Sequence, residues 1–378
     1  MKKIILGVTV PESCILLEGQ LKFLHERGFD VYFITGYSDA AKLFCEKEMC
    51  TFVPVFMRRE ISLWEDIKAF FLILRIIYRI KPDVVNFGTP KMGLLGMLAA
   101  CLLRVERRIY TCRGFRFERE YGFKKKVLLL IEKIVGKCAN RIICISSSLK
   151  DMAIRENIFS SSKVLIINKG SSNGINLNLF STHTVEIEKK REITIKYHLD
   201  HTFVYGFVGR ICNDKGVSEL YQAFDQLYLQ NNNLRLIIVG KVNPGNLKEK
   251  SLLNTIKEHP GIIYLGTFPK MELPTYMSLF DVFVLPTKRE GFGNVLIEAA
   301  ALGIPVITTD ATGSRDAIKD YYNGRLVPVE NVEALKTMML LFYEDEKLRK
   351  CYGENGRAWV KNFSRDLIWQ EQYNLYVS

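Results

Sequence analysis

The amino-acid pattern predicts an α/β protein made of two doubly wound parallel-sheet units in series. Three observations carry this. Short runs that are apolar throughout alternate with stretches of helical periodicity, as in a parallel sheet covered on both faces. The alternation pauses over residues 181–200, which are polar and charged, and then restarts. The length, 378 residues, is that of two ordinary domains.

In the first half, strands are expected at 3–8, 30–35, 51–55, 83–87, 108–112, 141–145 and 163–167. Helical patterns at 15–27, 63–80, 93–103 and 124–137 lie between them. In the second half, strands are expected at 203–208, 234–239, 262–265, 282–285, 305–308 and 325–327. With 181–200 read as the linker, the N-terminal unit spans 1–180 and the C-terminal unit 181–363. A last helix, 364–378, starts behind Ser364 as N-cap. It either stays with the second unit or crosses back to the first. Sheets of this kind bind ligands beyond the carboxyl ends of their strands, so two of them facing each other place the natural site in the cleft between.

Composition narrows the function classes. An apolar fraction of 48% and a charged fraction of 25% exclude wholesale disorder. Lys68, Arg75 and Arg79 interrupt the apolar stretch 67–80, and 93–103 is shorter than the ~20 residues a spanning helix needs. A cytoplasmic protein without a secretory signal is expected. The nine cysteines form no C-x-x-C pair, which argues against a zinc site and against a disulfide framework. Residues 1–175 hold 29 Lys and Arg against 17 Asp and Glu, while the remainder holds 24 of each. The whole net charge of +12 therefore lies in the first half. That half should meet an anionic partner: nucleic acid, a membrane surface or a phosphorylated substrate.

Two segments of the second half carry chemistry. Gly209-Arg210-Ile211-Cys212-Asn213-Asp214-Lys215-Gly216 follows an expected strand. A tight Gly turn would end the strand and Lys215 would open the next helix. Arg210 offers a planar fork of donors and Lys215 a compact charge, near a helix N-terminus that itself favours anions. This combination suits a diphosphate, although the spacing is not that of a Walker loop. Glu290-Gly291-Phe292-Gly293-Asn294-Val295-Leu296-Ile297-Glu298 follows another strand. Gly291 and Gly293 let the backbone approach a ligand closely, and a helix starting near Asn294 presents free N–H groups. Glu298, about one turn in, can accept from the vicinal hydroxyls of a ribose. Glu290 can reach the other end of the same ligand.

G-R-x4-K-G over 209–216 followed by E-x7-E over 290–298 resembles glycosyltransferase family 4, and the resemblance covers essentially the whole chain. It implies a GT-B fold, two Rossmann-like domains facing across a cleft, and transfer that retains the anomeric configuration of the donor sugar. It implies that Arg210 and Lys215 hold the donor diphosphate, that Glu290 contacts hydroxyls of the transferred sugar, and that these three are the catalytic groups. Glu298 would bind the ribose. Gly209, Gly291, Phe292, Gly293, Asn294 and Val295 would line the donor pocket, and Gly266, Thr267 and Phe268 would sit beside the base. UDP is the nucleotide the family implies. No D-x-D, H-E-x-x-H or Cys/His cluster is present, so neither a metal nor another cofactor is expected.

The basic half adds Thr89-Pro90-Lys91-Met92-Gly93 after one strand and Tyr110-Thr111-Cys112-Arg113-Gly114-Phe115-Arg116 after the next. These resemble the subgroup that builds bacterial capsule, exopolysaccharide and lipid-linked oligosaccharides, and they place Lys91, Arg113 and Arg116 at the acceptor. Many members carry a His near Cys112-Arg113, facing the reacting sugar. Here either Arg113 takes part of that role or the backbone does. A lipid-diphosphate-linked saccharide at the inner face of the cytoplasmic membrane fits the charge. Trp64, Phe70, Phe71, Leu74, Ile77 and Tyr78 form one apolar side of the helical stretch 63–80, which is either a membrane-facing stripe or core. Rival readings are a nucleotide-sugar 2-epimerase and a basic nucleic-acid-binding protein. The absence of an arginine-aromatic RNA module or a zinc finger disfavours the latter.

Overall fold

The computed structural model describes residues 1–60, 62–242 and 247–378. The chain divides into two compact units, Met1–Gly174 with Asp366–Ser378, and Ile175–Arg365.

The first unit holds β1 (Lys2–Gly7), β2 (Phe29–Thr35), β3 (Thr51–Pro54), β4 (Val84–Gly88), β5 (Arg107–Cys112), β6 (Arg141–Cys144) and β7 (Val164–Leu165). All pair in parallel in the order β3-β2-β1-β4-β5-β6-β7. Ile4, Ile5 and Leu6 of β1 and Val84, Val85 and Phe87 of β4 are fully buried. Helices cover both faces, so these strands are apolar on both sides rather than alternating.

The second unit holds β8 (Phe203–Val208), β9 (Leu234–Val239), β10 (Ile262–Gly266), β11 (Val282–Leu285), β12 (Val306–Thr309) and β13 (Gly324–Val327). Their order is β10-β9-β8-β11-β12-β13, again all parallel. In each sheet the winding reverses once, between β1 and β4 and between β8 and β11. Loops leaving two such strands diverge to opposite faces and leave a crevice at the carboxyl edge.

Two expected elements differ. The stretch 15–27 is not one helix: a 3₁₀ segment, Pro11–Leu17, gives way at Gly19 (φ 82°) to a helix over Gln20–Glu26. A left-handed residue cannot continue an α-helix, and a side chain at Gly19 would run into the Trp369 ring. The polar segment 181–200 is not a plain linker either. It carries the helix Ile187–Lys196, tied to the second unit by Lys189–Glu272 (2.5 Å) and by Lys190 Nζ to the Ser278 carbonyl (2.7 Å). The chain passes between units at Gly174–Ile175 and again at Arg365–Asp366, with Ile175 and Ser364 bridged side by side in the second unit.

The helix Arg365–Val377 completes the first unit. Ile368, Gln372 and Tyr376 are buried there. Asn86 Nδ2 donates to Tyr376 Oη (2.6 Å), Trp369 stacks near Phe23 (5.4 Å) and donates to Asn173 Oδ1 (2.6 Å).

The helix Leu63–Ile80 turns Ala69, Ile73 and Ile77 inward. Trp64, Phe71 and Tyr78 are 79%, 60% and 66% exposed. The expected apolar side is thus split: Ile77 is core, and the three aromatic residues, spaced seven apart, face outward. Among the described residues no helix is long and apolar enough to cross a membrane.

Candidate functional site

In the second unit the two motifs leave the two strands that flank the reversal. β8 runs into Gly209–Gly216, and β11 runs into 286–293. Lys215 lies on a 3₁₀ turn, Asn213–Lys215, rather than opening the helix, which starts at Val217 behind Gly216 (φ 67°). Any side chain at Gly216 would overlap the Pro286 carbonyl oxygen, so glycine lets the two loops touch. The contact is reinforced. Thr287 Oγ1 (2.9 Å) and the Lys288 amide (2.8 Å) donate to the Asp214 carbonyl, and Arg289 grips the Asp214 carboxylate through Nε (3.2 Å) and Nη2 (3.0 Å). Lys288 Nζ bridges Glu219 (2.6 Å) and Glu330 (2.7 Å).

This scaffold brings Lys215 Nζ onto Glu290 Oε1 as an ion pair in which both side chains are mostly covered. Arg210 is exposed and has no hydrogen bond or ion pair among the described residues. One cation and one carboxylate therefore hold each other, while a second cation, Arg210, has no partner among the described residues. The amide of Glu290 donates to the Thr312 carbonyl (3.0 Å), which fixes its backbone.

The helix Asn294–Ala301 starts behind Gly293, whose φ of 80° makes the turn from loop to helix. Asn294 is exposed and Val295 half-buried at its first turn. Glu298 Oε1 lies 3.7 Å from Lys270 Nζ. Burial pushes its carboxyl pKa up, against the opposing pull of Lys270 and Arg365. A desolvated carboxylate of this kind is a strong acceptor for a pair of hydroxyls. Gly209 and Gly266 flank Gly240, which donates to the Gly266 carbonyl (2.6 Å). Thr267 is exposed, and Phe268 stacks on Tyr276 with centroids 3.6 Å apart. Gly291 lies half-buried on the loop. Phe292 is 2% exposed, and its ring packs on Phe363 (5.1 Å). That packing anchors the loop from below.

In the first unit the same edge carries Arg113. Its Nε and Nη1 are sealed from solvent without a hydrogen-bond partner. Its guanidinium lies against Gly88, where a side chain would overlap it. Burial lowers its pKa to about 10, and no carboxylate offsets that. Leaving these desolvated donors of Arg113 unpaired is costly. Beside it Thr89 is held at φ 75°, an uncommon conformation for a β-branched residue, by Thr9 Oγ1 (2.7 Å). Lys91 Nζ is paired with Asp66 (2.6 Å) and also bonds the Glu60 carbonyl. Arg116 is exposed, without a partner among the described residues.

Sequence reasoning missed Lys270, the Asp214–Arg289 clamp and Glu132. Lys270 and Arg289 sit in loops after strands, where one charge looks like any other. Glu132 reads as one polar position on a helix, yet it is 4% exposed and takes a hydrogen bond from Tyr110 Oη (3.2 Å). Burial pushes its carboxyl pKa up to about 7.

Two doubly wound units in series, with a cation–carboxylate pair at the winding reversal, are the build of a GT-B glycosyltransferase. The solved structure of HepE from Anabaena, in complex with UDP and glucose, matches all of this chain and all of its own with a TM-score of 0.84 at 18% identity, which shows the fold. The model described as Glycosyltransferase Family 4 matches residues 18–177, and that described as Glycosyl transferases group 1 matches 188–359. The capsular polysaccharide biosynthesis glycosyltransferase CapM of Staphylococcus aureus is 37% identical over 378 residues, 99% of this chain and 97% of its own. A UDP-Gal:alpha-D-GlcNAc-diphosphoundecaprenol alpha-1,3-galactosyltransferase of Escherichia coli is 26% identical, covering 91% of this chain and 87% of its own. The chain belongs to glycosyltransferase family 4.

Proposed function

We propose that this glycosyltransferase moves a hexose or N-acetylhexosamine, with retention, from a UDP-sugar to a lipid-diphosphate-linked saccharide in surface polysaccharide biosynthesis. The observation that carries the reading is the meeting of Lys215 and Glu290 at the winding reversal of the second unit, with Arg210 free beside them in sequence. The names of the Staphylococcus and Escherichia relatives point to capsule synthesis and to a diphosphoundecaprenol acceptor.

On this reading the incoming diphosphate draws Lys215 from Glu290 and recruits Arg210. As the sugar–phosphate bond stretches, negative charge grows on the leaving phosphate, and both cations stabilise that state more than the ground state. Glu290, relieved of its lysine, turns to the hydroxyls of the transferred sugar. Glu298 takes the ribose hydroxyls. Arg113 receives an anionic oxygen of the acceptor, which ends its unpaired state. These cations supply the charge neutralisation, so no metal is required. The exposed Trp64, Phe71 and Tyr78 would rest in the interface of the cytoplasmic leaflet.

A thermal-shift screen of nucleotide sugars tests the donor, since a ligand at 100 times its dissociation constant adds ~2.7 kcal/mol. Product analysis then follows with a lipid-linked acceptor, in excess chelator. UDP-sugars should raise the midpoint and sugar should appear on the lipid. Conversion of donor alone would favour the epimerase. Activity abolished by chelation and restored by a divalent ion would refute metal independence.

A further inference from the structure

The first unit contains a cavity of about 460 Å³ walled by the helices Leu63–Ile80, Pro90–Leu102 and Gly122–Cys138. Its walls are almost wholly apolar, with Ile67, Phe70, Leu94, Leu98, Val127 and Ile131 among them. Glu132 also lines it, its carboxylate held by Tyr110. Arg59 and Arg116 line it as well, both exposed and both without a hydrogen bond or ion pair among the described residues. The third cation, Lys91, is already neutralised by Asp66.

The size decides between occupants. A volume of this order is that of a small-molecule site. A protein partner needs about 800 Å² of surface on each side, far more than this slot offers. The charge decides the ends: an apolar slot beside two unpaired guanidinium groups suits one hydrocarbon chain ending in a phosphate. Leu63, Trp64 and Phe71, at 74%, 79% and 60% exposed, continue the apolar surface outward from the same helix.

We propose that this groove holds the isoprenyl chain of the lipid-diphosphate-linked acceptor, with Arg59 and Arg116 taking the phosphate next to the chain and Arg113 an oxygen nearer the saccharide. The proposal rests on the lipid-linked acceptor reading above and assigns that acceptor's chain to residues outside the donor-binding loops.

The test is calorimetric titration of the full chain with farnesyl phosphate, farnesol, inorganic phosphate and phosphatidylglycerol vesicles. Farnesyl phosphate should bind saturably and inorganic phosphate should not. Leu98→Trp, which fills the slot, should weaken farnesyl phosphate at least tenfold with an unchanged melting midpoint. Ile67→Glu lies at a position 49% exposed, so it does not threaten folding, and it should do the same. The double variant Arg59→Ala, Arg116→Ala should weaken farnesyl phosphate about tenfold and leave farnesol unchanged. No binding of farnesyl phosphate, or equal binding by wild type and both groove variants, overturns the proposal. Vesicle binding that the groove variants lose in parallel with farnesyl phosphate would assign the slot to bilayer acyl chains and also overturn it. Transfer assays separate the two readings. Groove variants that glycosylate a polyprenyl-linked acceptor as well as wild type refute the groove alone. Farnesyl phosphate binding that the variants lose, without transfer to any lipid-linked acceptor, refutes the acceptor reading alone.

Discussion

Replacing Glu132 by Gln should make the protein more stable at pH 8 and remove a pH dependence that the wild type carries. The carboxyl is 4% exposed, with Tyr110 Oη donating to it at 3.2 Å. Its pKa is moved from an ordinary 4.5 to about 7, chiefly by burial. Between those values the folded chain keeps a proton that the unfolded chain has released. Stability therefore falls as pH rises through that window and levels off above it. At 1.36 kcal/mol per pH unit, the separation amounts to about 3 kcal/mol. Gln keeps the volume and the oxygen that Tyr110 addresses, and it never ionises. For a unit of this size, about 3 kcal/mol corresponds to roughly 6–12 °C in melting midpoint. The assay is the midpoint of the first unit by circular dichroism at pH 5, 6, 7 and 8, for wild type and variant. Groups that titrate in both chains cancel in the difference. A difference curve that is flat across this range, or a variant less stable than wild type at pH 8, would refute the argument.

Lys215→Ala should lower kcat by ~10²–10³, equivalent to ~3–4 kcal/mol, and pre-steady-state turnover that stays near normal would remove Lys215 from the site. Adding Glu290→Ala to it should cost less than the sum of the two single effects, because the two groups already act on each other. Glu298→Ala should raise the donor KM roughly 10–100-fold with kcat little changed, as expected for an interaction made equally in ground and transition states; a loss confined to kcat would contradict the ribose assignment. Arg113→Met should raise stability by about 1–3 kcal/mol while raising the acceptor KM, since it removes an unpaired buried cation. Destabilisation, or an unchanged acceptor KM, would sink that pairing of effects.

The central strands were legible because they are apolar on both sides, so a short run such as 282–285 stands out without periodicity. Residues 63–80 were legible from their helical pattern, and the helix ends where Lys81 turns left-handed at φ 52°. The helix Ile187–Lys196 was not legible, because only Ile193 is buried and the rest of its faces are polar. Its order comes from one tertiary ion pair and one tertiary hydrogen bond, which leave no sequence period. The meeting of Lys215 with Glu290 was visible in outline, since both follow strands. Its partner network was not, because Asp214–Arg289 and Lys270–Glu298 depend on which strands are neighbours. The burial of the Phe292 ring was hidden for a similar reason. Glycines on either side of it suggest a ligand loop, while its burial is set by Phe363, far along the chain.

The return of residues 366–378 to the first unit orders events during synthesis. On the ribosome the first unit emerges early but lacks the helix that carries Tyr376, the hydrogen-bond partner of Asn86. The second unit, whose residues are contiguous from Ile175 to Arg365, can reach its native state sooner. The unit translated first of the two is thus the last to be sealed, and its open interval lasts as long as translation of everything in between. A nascent chain stalled before Asp366 would present that interior to chaperones and proteases, so loss of only these few residues would register as degradation.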